Sequence, residues 1–344
     1  MIKQQINIQE NPEIIVHKPF VKINKYIEIV TMPTSTKKIG VEIDLNAELI
    51  LEILSKNYEK VLITIIKNED DLKTLVDKKP DLVFSGIKYF EFKKEKIWFS
   101  DYLKKHNIDY ISSNKNAFDN EYDKNLAKEI VQKENINTAK FFTTQPDEHE
   151  TESSLPVTFP LFLKPVEKNN PEDINAQSVV FDFKKYQAKV LDIYNNQKSR
   201  TLVENYLSGK EYSVSILENK SKNILMILPV EIIAVKNKNG HKILDFDARK
   251  STLEEVMEVI DKKIKKELCL VAINSFRALG GKTMGKISIK MSFNGILHFL
   301  EADFMPSFDE GYFYKAFQIN ENLSYEEMIL RIANTALSSP KEEI

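Results

Sequence analysis

Residues Lys286-Ile-Ser-Ile-Lys-Met-Ser-Phe-Asn-Gly-Ile-Leu-His-Phe-Leu-Glu-Ala-Asp-Phe-Met-Pro306 form two segments of alternating apolar residues on either side of an Asn-Gly pair. An Asn-Gly pair between such segments predicts a β-hairpin. Side chains two residues apart on a strand lie on one face, so Glu301 and Asp303 are predicted to project together. Two such carboxylates suit a Mg²⁺ that also holds phosphates. For the pair taken alone, a solvated strand face is the commoner explanation.

The composition is typical of a soluble α/β protein. A chain of 344 residues exceeds what one compact core usually accommodates, which predicts two or three domains. Apolar residues make up 42% of the chain, but no apolar run approaches membrane-spanning length. The N-terminus, Met1-Ile-Lys-Gln-Gln5, lacks the hydrophobic core of a signal peptide. We therefore expect a cytoplasmic protein.

Charge and residue counts exclude several classes of function. The net charge of −2 gives no basic footprint for nucleic acid, and we expect neither nucleic acid nor a membrane as a partner. The single cysteine, Cys269, excludes an internal disulfide framework, and its apolar neighbours favour a buried thiol. With only nine glycines, the chain has no glycine-rich phosphate loop of the Walker or dinucleotide-binding type. The five histidines lack the spacing of metal ligands.

The N-terminal region alternates strand and helix patterns. The predicted elements are strand Tyr26–Thr31, helix Ala47–Leu54, strand Val61–Ile66, helix Asp70–Asp77, strand Asp81–Ser85 and strand Ile108–Ser112. This order predicts a small parallel-sheet domain that ends near residue 115. A further helix is predicted over Asp119–Lys133, from its acidic first turn and apolar spacing.

Two segments of the middle region place charges at strand ends. The predicted strand Phe159–Pro165 ends with Lys164, whose ammonium group is costly to bury unless an anion meets it. The alternative is a lysine that snorkels to solvent. Residues 201–216 are predicted to form two strands joined by a Gly-containing turn, with Glu204 and Glu211 near opposite ends of the connection. These carboxylates could accept hydrogen bonds from an amine and a ribose, or lie on a solvated hairpin.

The order of these segments resembles that of ATP-grasp proteins, and within them the D-alanine-D-alanine ligase branch of carboxylate-amine ligases. The resemblance covers roughly residues 79–337. It rests on segments Lys79–Phe84, Asp123-Lys124, Phe162–Pro165, Leu202–Leu207, Gly209–Glu211, Leu228–Ile232, Leu244–Arg249, Glu301-Ala-Asp303 and Met305-Pro306. It implies an α/β ATP-grasp fold. An N-terminal parallel α/β pre-ATP-grasp domain would occupy residues 1–115, a central α+β lid domain 116–205 and a C-terminal α+β catalytic domain 206–344.

The resemblance also implies the site residues and the cofactors ATP and Mg²⁺. They are Lys124, Lys164 and Arg249 for ATP phosphates, Glu204, Leu207 and Glu211 for adenine and ribose, Glu301, Asp303 and Ser288 for Mg²⁺, and Lys286 for the developing oxyanion. The implied reaction phosphorylates a carboxylate, and an amine then attacks the acyl phosphate. A homodimer is implied by the family likeness alone.

The chain departs from the family pattern at its metal ligands and phosphate loop. Ser288 stands where the family has a metal-binding aspartate, and Asp303 replaces the family's asparagine. Both sets contain two anionic ligands and one neutral ligand. Lys286 replaces an arginine, which keeps the charge but loses the bidentate geometry. The segment 167–178 lacks the glycines with which the family folds a loop over the phosphates.

Further departures concern the substrate. Residues Ser307–Phe313 replace the small residues with which the family holds the second D-alanine, and Thr31–Thr36 replaces its amine-recognition segment. We therefore expect small amino-acid or carboxylate and amine substrates other than two D-alanines. The alternative is a degenerate ATP-grasp domain that binds a nucleotide or a partner without turnover, which the loss of the aspartate and of the glycine loop favours.

Overall fold

The computed structural model describes residues 21–33, 40, 43, 45–167, 177–219, 224–234, 254–309 and 311–337. Several features of the sequence analysis lie wholly or partly outside these residues. They include the N-terminus Met1–Gln5, Arg249 with the segment around it, most of the glycine-free segment 167–178, positions 34–36 of Thr31–Thr36 and position 310 of Ser307–Phe313.

A parallel sheet forms the N-terminal part of the fold, as the alternating pattern predicts. In the order β2-β1-β3-β6, its strands are β1 (Ile23–Thr31), β2 (Tyr58–Ile65), β3 (Leu82–Ser85) and β6 (Asp109–Tyr110). The remaining elements are the hairpin β4 (Tyr89–Phe92) and β5 (Glu95–Trp98) with helices α1 (Ala47–Asn57), α2 (Glu69–Asp77) and α3 (Phe99–Lys105). Asn68 and Asp71 form a capping box at the start of α2, which satisfies backbone N–H groups of its first turn.

The predicted helix Asp119–Lys133 is two helices. Helix α4 spans Lys115–Tyr122 and helix α5 spans Lys124–Lys133, with Asp123 between them in an extended conformation. The Asp123 carboxylate accepts hydrogen bonds from the backbone N–H groups of Asn125 and Leu126, at 2.9 Å each. Asp123 is therefore the N-cap of α5, a position that aspartate favours because its side chain satisfies orphan N–H groups.

A small antiparallel sheet with one covering helix follows. Its strands, in the order β7-β10-β8-β9, are β7 (Phe141–Thr144), β8 (Leu161–Pro165), β9 (Val179–Val180) and β10 (Thr201–Asn205). Helix α6 (Phe183–Gln197) packs Tyr186, Val190 and Ile193 against this sheet in a separate hydrophobic core.

The C-terminal sheet is antiparallel, in the order β13-β12-β11-β14-β15. Its strands and helices are β11 (Glu211–Asn219), β12 (Ile224–Ala234), β13 (Glu254–Glu258), β14 (Met284–Met291), β15 (Leu297–Asp303), α7 (Lys262–Ala278), α8 (Tyr312–Glu321) and α9 (Tyr325–Ala336). The predicted hairpin is confirmed by the pairing of β14 with β15, and Gly295 in its turn has a φ of 83°. Positive φ is a conformation that glycine adopts without steric cost.

The two strands predicted over residues 201–216 are present as β10 and β11, but they do not pair with each other as the alternative hairpin would require. Strand β10 pairs with β7 and β8 in the central sheet, whereas β11 pairs with β12 and β14 in the C-terminal sheet. The connection of residues 206–210 thus leads the chain from one sheet to the other. Its glycine approaches Met291, because the Gly209 N–H donates a 3.0 Å hydrogen bond to the Met291 carbonyl. This crossover places Glu204 and Glu211 on different sheets.

One large hydrophobic core joins the N-terminal and C-terminal parts. It includes Ile27 and Phe84 of the parallel sheet and Phe308, Phe313 and Phe317 near the C-terminus. The three sheets lie within residues 23–110, 141–205 and 211–303, and the domain bounds at 115/116 and 205/206 stay a prediction. None of the helices that the structure describes has the length and apolar composition of a membrane span.

Candidate active site

Cross-strand rows on β11, β14 and β15 collect the predicted metal and catalytic residues on one face. The rows, read across the directly paired positions, are Ser213–Ser288–Glu301, Ser215–Lys286–Asp303 and Glu211–Lys290–His298. A bulge between Ser288 and Ile289 leaves Leu300 as the extra residue of β15, since Ile289 pairs with Phe299. The bulge keeps Phe299 in the core and Glu301 opposite Ser288.

Lys286 forms an ion pair with a predicted metal ligand. Its Nζ lies 3.4 Å from Oδ2 of Asp303, and 5.8 Å from the centre of the Tyr312 ring. The Tyr312 hydroxyl donates a hydrogen bond to the Glu254 carboxylate at the start of β13. The ammonium group of Lys286 therefore lies close to both a carboxylate and an aromatic ring.

The predicted ribose carboxylate also has a lysine partner. Lys290 Nζ donates a 2.6 Å hydrogen bond to Oε2 of Glu211, and both side chains are largely buried. Leu207, the other residue implied for adenine and ribose, is partly buried in the connection that leads to Glu211. A charge-assisted bond of this length fixes the orientation of the Glu211 carboxylate.

Glu204 lies in a buried cluster with two lysines. Its carboxylate forms ion pairs with Lys128 of α5 and, at 2.9 Å, with Lys164 of β8. Lys128 Nζ donates a 2.7 Å hydrogen bond to Thr138 Oγ1, and that hydroxyl donates to the Phe299 carbonyl at 2.9 Å. This chain of contacts connects the central sheet and α5 to strand β15 beside Glu301.

The charges of the cluster shift its pKa values. Burial alone raises the pKa of Glu204, but the two ammonium groups outweigh burial and lower it to about 2. Burial lowers the pKa of Lys128, and the attraction of Glu204 does not fully compensate. Burial also opposes the charge of Lys164, yet the carboxylates around it raise its pKa overall. Those carboxylates include Glu301 and Glu211 of the C-terminal sheet, so the two sheets face each other electrostatically.

The first predicted ATP lysine lies at the start of α5. Lys124 Nζ donates to the Glu167 carbonyl at 2.7 Å and to the Pro165 carbonyl at 3.4 Å. The Lys124 side chain therefore reaches the end of β8, one residue beyond Lys164. The structure thus brings together Lys124, Lys164, Glu204, Glu211, Lys286, Ser288, Glu301 and Asp303 around two facing sheets. Their roles toward a ligand stay predictions.

Sequence reasoning missed two buried charged residues that support the site. Lys128 follows Lys124 by one helical turn and lies among the buried positions of α5, a pattern that marks a lysine with a buried partner. Glu121 accepts a 2.6 Å hydrogen bond from the Phe304 N–H and a 2.7 Å hydrogen bond from Lys88. It thereby fixes the backbone directly after Asp303. No local sequence signal indicates that contact, because 183 residues separate Glu121 from Phe304.

The predicted metal ligands suit one hard cation, but they do not by themselves form a complete metal site. Glu301, Asp303 and the Ser288 hydroxyl supply oxygen ligands, which Mg²⁺ prefers, and nucleotide phosphates and waters commonly complete its coordination. The structure's described residues contain no group of three or more His, Cys, Asp or Glu arranged to hold a metal. Lys286 competes with a cation at Asp303. Glu301 lies opposite Ser288 across the strand pair and attracts Lys164 of the central sheet.

The arrangement of sheets and charges defines the class of protein. The fold combines an N-terminal parallel sheet with a central and a C-terminal antiparallel sheet, and buried lysines and carboxylates lie between the last two. Solved structures share this fold. A D-alanine-D-alanine ligase from Bacillus anthracis complexed with ATP superimposes with a TM-score of 0.65 at 17% identity, covering 92% of this chain and 98% of that one. The VanG D-Ala:D-Ser ligase from Enterococcus faecalis has a TM-score of 0.63 at 16% identity, covering 91% and 100%.

Sequence comparison gives the family. The chain belongs to the family described as D-ala D-ala ligase C-terminus, which matches residues 129–334, and thus to the ATP-grasp ligases. D-alanine-D-alanine ligase A of Bacillus cereus is 23% identical over 300 residues, covering 86% of this chain and 93% of the relative. The Brucella suis D-alanine-D-alanine ligase A is 23% identical over 225 residues. This match spans 64% of this chain and 62% of that relative. The predicted family and fold are confirmed.

Proposed function

We propose that the chain is an ATP-dependent ligase that joins the carboxylate of one small amino-acid-like substrate to the amine of another. The observation that carries the proposal is that the buried cluster of Lys164, Glu204 and Lys128 is joined through Thr138 to the backbone of β15, the strand that carries Glu301 and Asp303. A lysine and carboxylates on opposite walls suit a nucleotide whose phosphates arrive with Mg²⁺. Relatives named D-alanine-D-alanine ligase support the reaction class, while 23% identity leaves the substrate open.

The proposed chemistry has two steps. A substrate carboxylate oxygen attacks the γ-phosphorus of ATP, which gives an acyl phosphate and ADP. The neutral amine then attacks the acyl carbon, the carbon–oxygen bond to phosphate breaks, and inorganic phosphate leaves as the nitrogen loses a proton to solvent. Lys164 and Lys124 are assigned to the phosphates, Glu211 to the ribose and Lys286 to the developing oxyanion, because catalysis here is positioning and charge stabilisation. Glu301 and Asp303 would hold Mg²⁺, which would further neutralise the phosphate charge.

The substrate pair proposed excludes two D-alanines. Tyr312 places an aromatic ring 5.8 Å from Lys286, on the segment where the family holds its second D-alanine with small residues. Phe308 and Phe313, on the same segment, are buried in the hydrophobic core rather than lining the site. Tyr312, unlike these two phenylalanines, therefore lies beside Lys286, the residue proposed to contact the developing oxyanion. We propose a partner substrate that either stacks on this ring or is small enough to fit beside it.

A second candidate function is nucleotide binding without turnover. The ion pair between Lys286 and Asp303 favours it, because a lysine that neutralises a metal ligand weakens a site built for phosphoryl transfer. Under this alternative, nucleotide binding requires no Mg²⁺ and no substrate is consumed. A homodimer and a cytoplasmic location stay predictions under either function.

Turnover separates the two candidates. Purified protein is incubated with Mg²⁺, ATP and a mixed pool of amino acids and small carboxylates, while ADP and inorganic phosphate are followed and products are screened by mass. ADP with a product lighter than its two parts by one water supports the ligase, and Glu301→Gln, which removes the proposed Mg²⁺ carboxylate, should abolish it. ATP binding without ADP formation in every pool supports the binding function instead.

A further inference from the structure

The ion pair of Lys286 and Asp303 is built into the strand register. The two residues are direct partners across β14 and β15, so their side chains leave the sheet side by side. Their charged groups lie 3.4 Å apart, and only 22% and 19% of the side chains are exposed. Water and salt screen partly buried charges less than exposed ones. The backbone therefore holds a cation at Asp303.

The Tyr312 ring supports the position of this ammonium group. The ring centre lies 5.8 Å from Lys286 Nζ, within the range of a cation–π contact. The ring is itself anchored, because its hydroxyl donates to the Glu254 carboxylate on β13. A lysine attracted by a carboxylate and by an aromatic ring loses little further mobility when a ligand arrives.

The ion pairs around the two facing sheets also support a lysine as the cation at Asp303. The cationic groups are Lys128, Lys164, Lys286 and Lys290. The anionic groups are Glu204, Glu211, Glu301 and Asp303. Glu204, Glu211 and Asp303 each have a lysine as an ion-pair partner. Carboxylates that already have lysine partners attract a divalent ion less than uncompensated ones.

We propose that Lys286 serves as a built-in cation at Asp303, so that the triphosphate of the nucleotide binds without a divalent ion at that carboxylate. Glu301, which pairs with Ser288 across the strands, is the other carboxylate of the predicted metal site. The nature of the anion rests on the proposed function. The weak affinity of Asp303 for metal does not, since it follows from the ion pair alone.

Metal binding without nucleotide tests the inference directly. Free Mn²⁺ is measured by electron paramagnetic resonance in titrations of the wild-type protein and three variants. Lys286→Met should bind Mn²⁺ at least tenfold more tightly than wild type, because it uncovers Asp303. Lys210→Met is the control. It removes a lysine that lies directly before β11 and forms an ion pair with Glu231 of β12, with an N–O distance of 2.9 Å. This control should stay within twofold of wild type.

The double variant Lys286→Met/Asp303→Asn locates the new site. It should lose the gain of the single variant, because the uncovered carboxylate is gone. An affinity of Lys286→Met no tighter than that of Lys210→Met overturns the inference, as does a gain that persists in the double variant. Circular dichroism spectra and melting temperatures that match wild type keep the comparison between folded proteins.

Nucleotide binding tests the functional consequence. In calorimetric titrations with ATP, the ratio of the dissociation constants in EDTA and in Mg²⁺ should be at least tenfold larger for Lys286→Met than for wild type. A ratio for Lys286→Met that is less than tenfold larger overturns the inference. Absence of ATP binding under both conditions overturns the proposed function instead, and the Mn²⁺ titrations then decide the inference on their own.

Discussion

The substitution Glu204→Gln removes the carboxylate that two buried lysines share while nearly preserving the shape of the side chain. Relative exposures of the side chains are 0% for Lys128, 4% for Lys164 and 2% for Glu204. The variant therefore leaves two ammonium groups close together, out of water and without their counter-charge. Breaking a buried ion pair by removing one partner costs about 3–5 kcal/mol, much of it the cost of the remaining unpaired charge.

The pKa of Glu204 gives a second estimate of the same quantity. The folded protein lowers this pKa from 4.5 to about 2. At about 1.4 kcal/mol per pKa unit, that shift corresponds to about 3 kcal/mol. Because the folded pKa is depressed, the stabilisation is fully present above pH 4.5 and is lost as the pH falls toward 2. The loss in Glu204→Gln should therefore be fully expressed at pH 6.

The pH dependence of the variant has the same sign as that of the Glu204 carboxyl group, but it lies at higher pH. Burial already lowers the pKa of Lys128 below its ordinary value of 10.5, and removal of Glu204 lowers it further. Between the folded and unfolded pKa values of Lys128 the unfolded state binds more protons, so stability rises with pH. We therefore expect the deficit of Glu204→Gln to be smaller at pH 8 than at pH 6.

Hydrogen exchange measured by mass spectrometry is the suitable assay, because a chain with several sheets need not unfold in one step and its single tryptophan, Trp98, lies in the N-terminal part. Peptides from β8 and β10 should exchange about a hundredfold faster in the variant at pH 6, after correction for intrinsic rates. The exposed residue Glu326, 3.0 Å from Lys56, provides the control Glu326→Gln, which should leave these peptides unchanged. Protection of β8 and β10 within fivefold of wild type at pH 6 would refute the reasoning.

Three further predictions concern residues beside the candidate site. Glu211→Gln should weaken ATP binding about tenfold, since a hydrogen bond to a charged group is worth about 1.5–3 kcal/mol, and should weaken 2′,3′-dideoxy-ATP less. Equal losses for both nucleotides in calorimetry would contradict a ribose role. Glu121→Gln, which weakens the contacts to the Phe304 N–H and Lys88, should cost about 1–3 kcal/mol and speed exchange at the end of β15; unchanged exchange there would argue against it. Gly209→Ala places a Cβ 2.4 Å from the Met291 carbonyl oxygen and should destabilise β11 and β14 by about 1–3 kcal/mol by hydrogen exchange. Gly311→Ala, whose Cβ would have 3.7 Å to its nearest neighbour, should cost less, and equal costs would count against a steric cause.

Local pattern predicts elements better than it predicts partners. The β14–β15 hairpin follows from period-two alternation and an Asn-Gly turn, both of which act within one hairpin. The two strands predicted over residues 201–216 are also present, but the same signals do not determine the sheet that each strand joins. The split at Asp123 was also missed, although aspartate favours N-cap positions, because the apolar spacing continues across it.

In the candidate site, too, local spacing predicts some features, whereas others depend on tertiary packing. Spacing alone places Glu301 and Asp303 on one face of their strand, and Lys286 and Ser288 on one face of theirs. Their pairing does not, because it depends on the register between strands and on the bulge at Leu300. The lysine partners of Glu204 come from a helix and from a neighbouring strand, more than 35 residues earlier in the chain. Only tertiary packing brings such groups together.

The register also explains why three departures from the family pattern belong together. The family pattern of Arg and Asp at positions 286 and 288, with Glu and Asn at 301 and 303, carries the same net charge as Lys286, Ser288, Glu301 and Asp303. The carboxylate has in effect moved from position 288, directly opposite Glu301, to position 303, directly opposite Lys286. Like charges directly opposite each other destabilise a sheet, whereas opposite charges stabilise it. The family arrangement gains from a cation between its two carboxylates, while in this chain the strand pair is already neutralised at Asp303 without one. Either change alone would leave an unpaired charge, so the substitutions at 288 and 303 are expected to be stabilising only in combination.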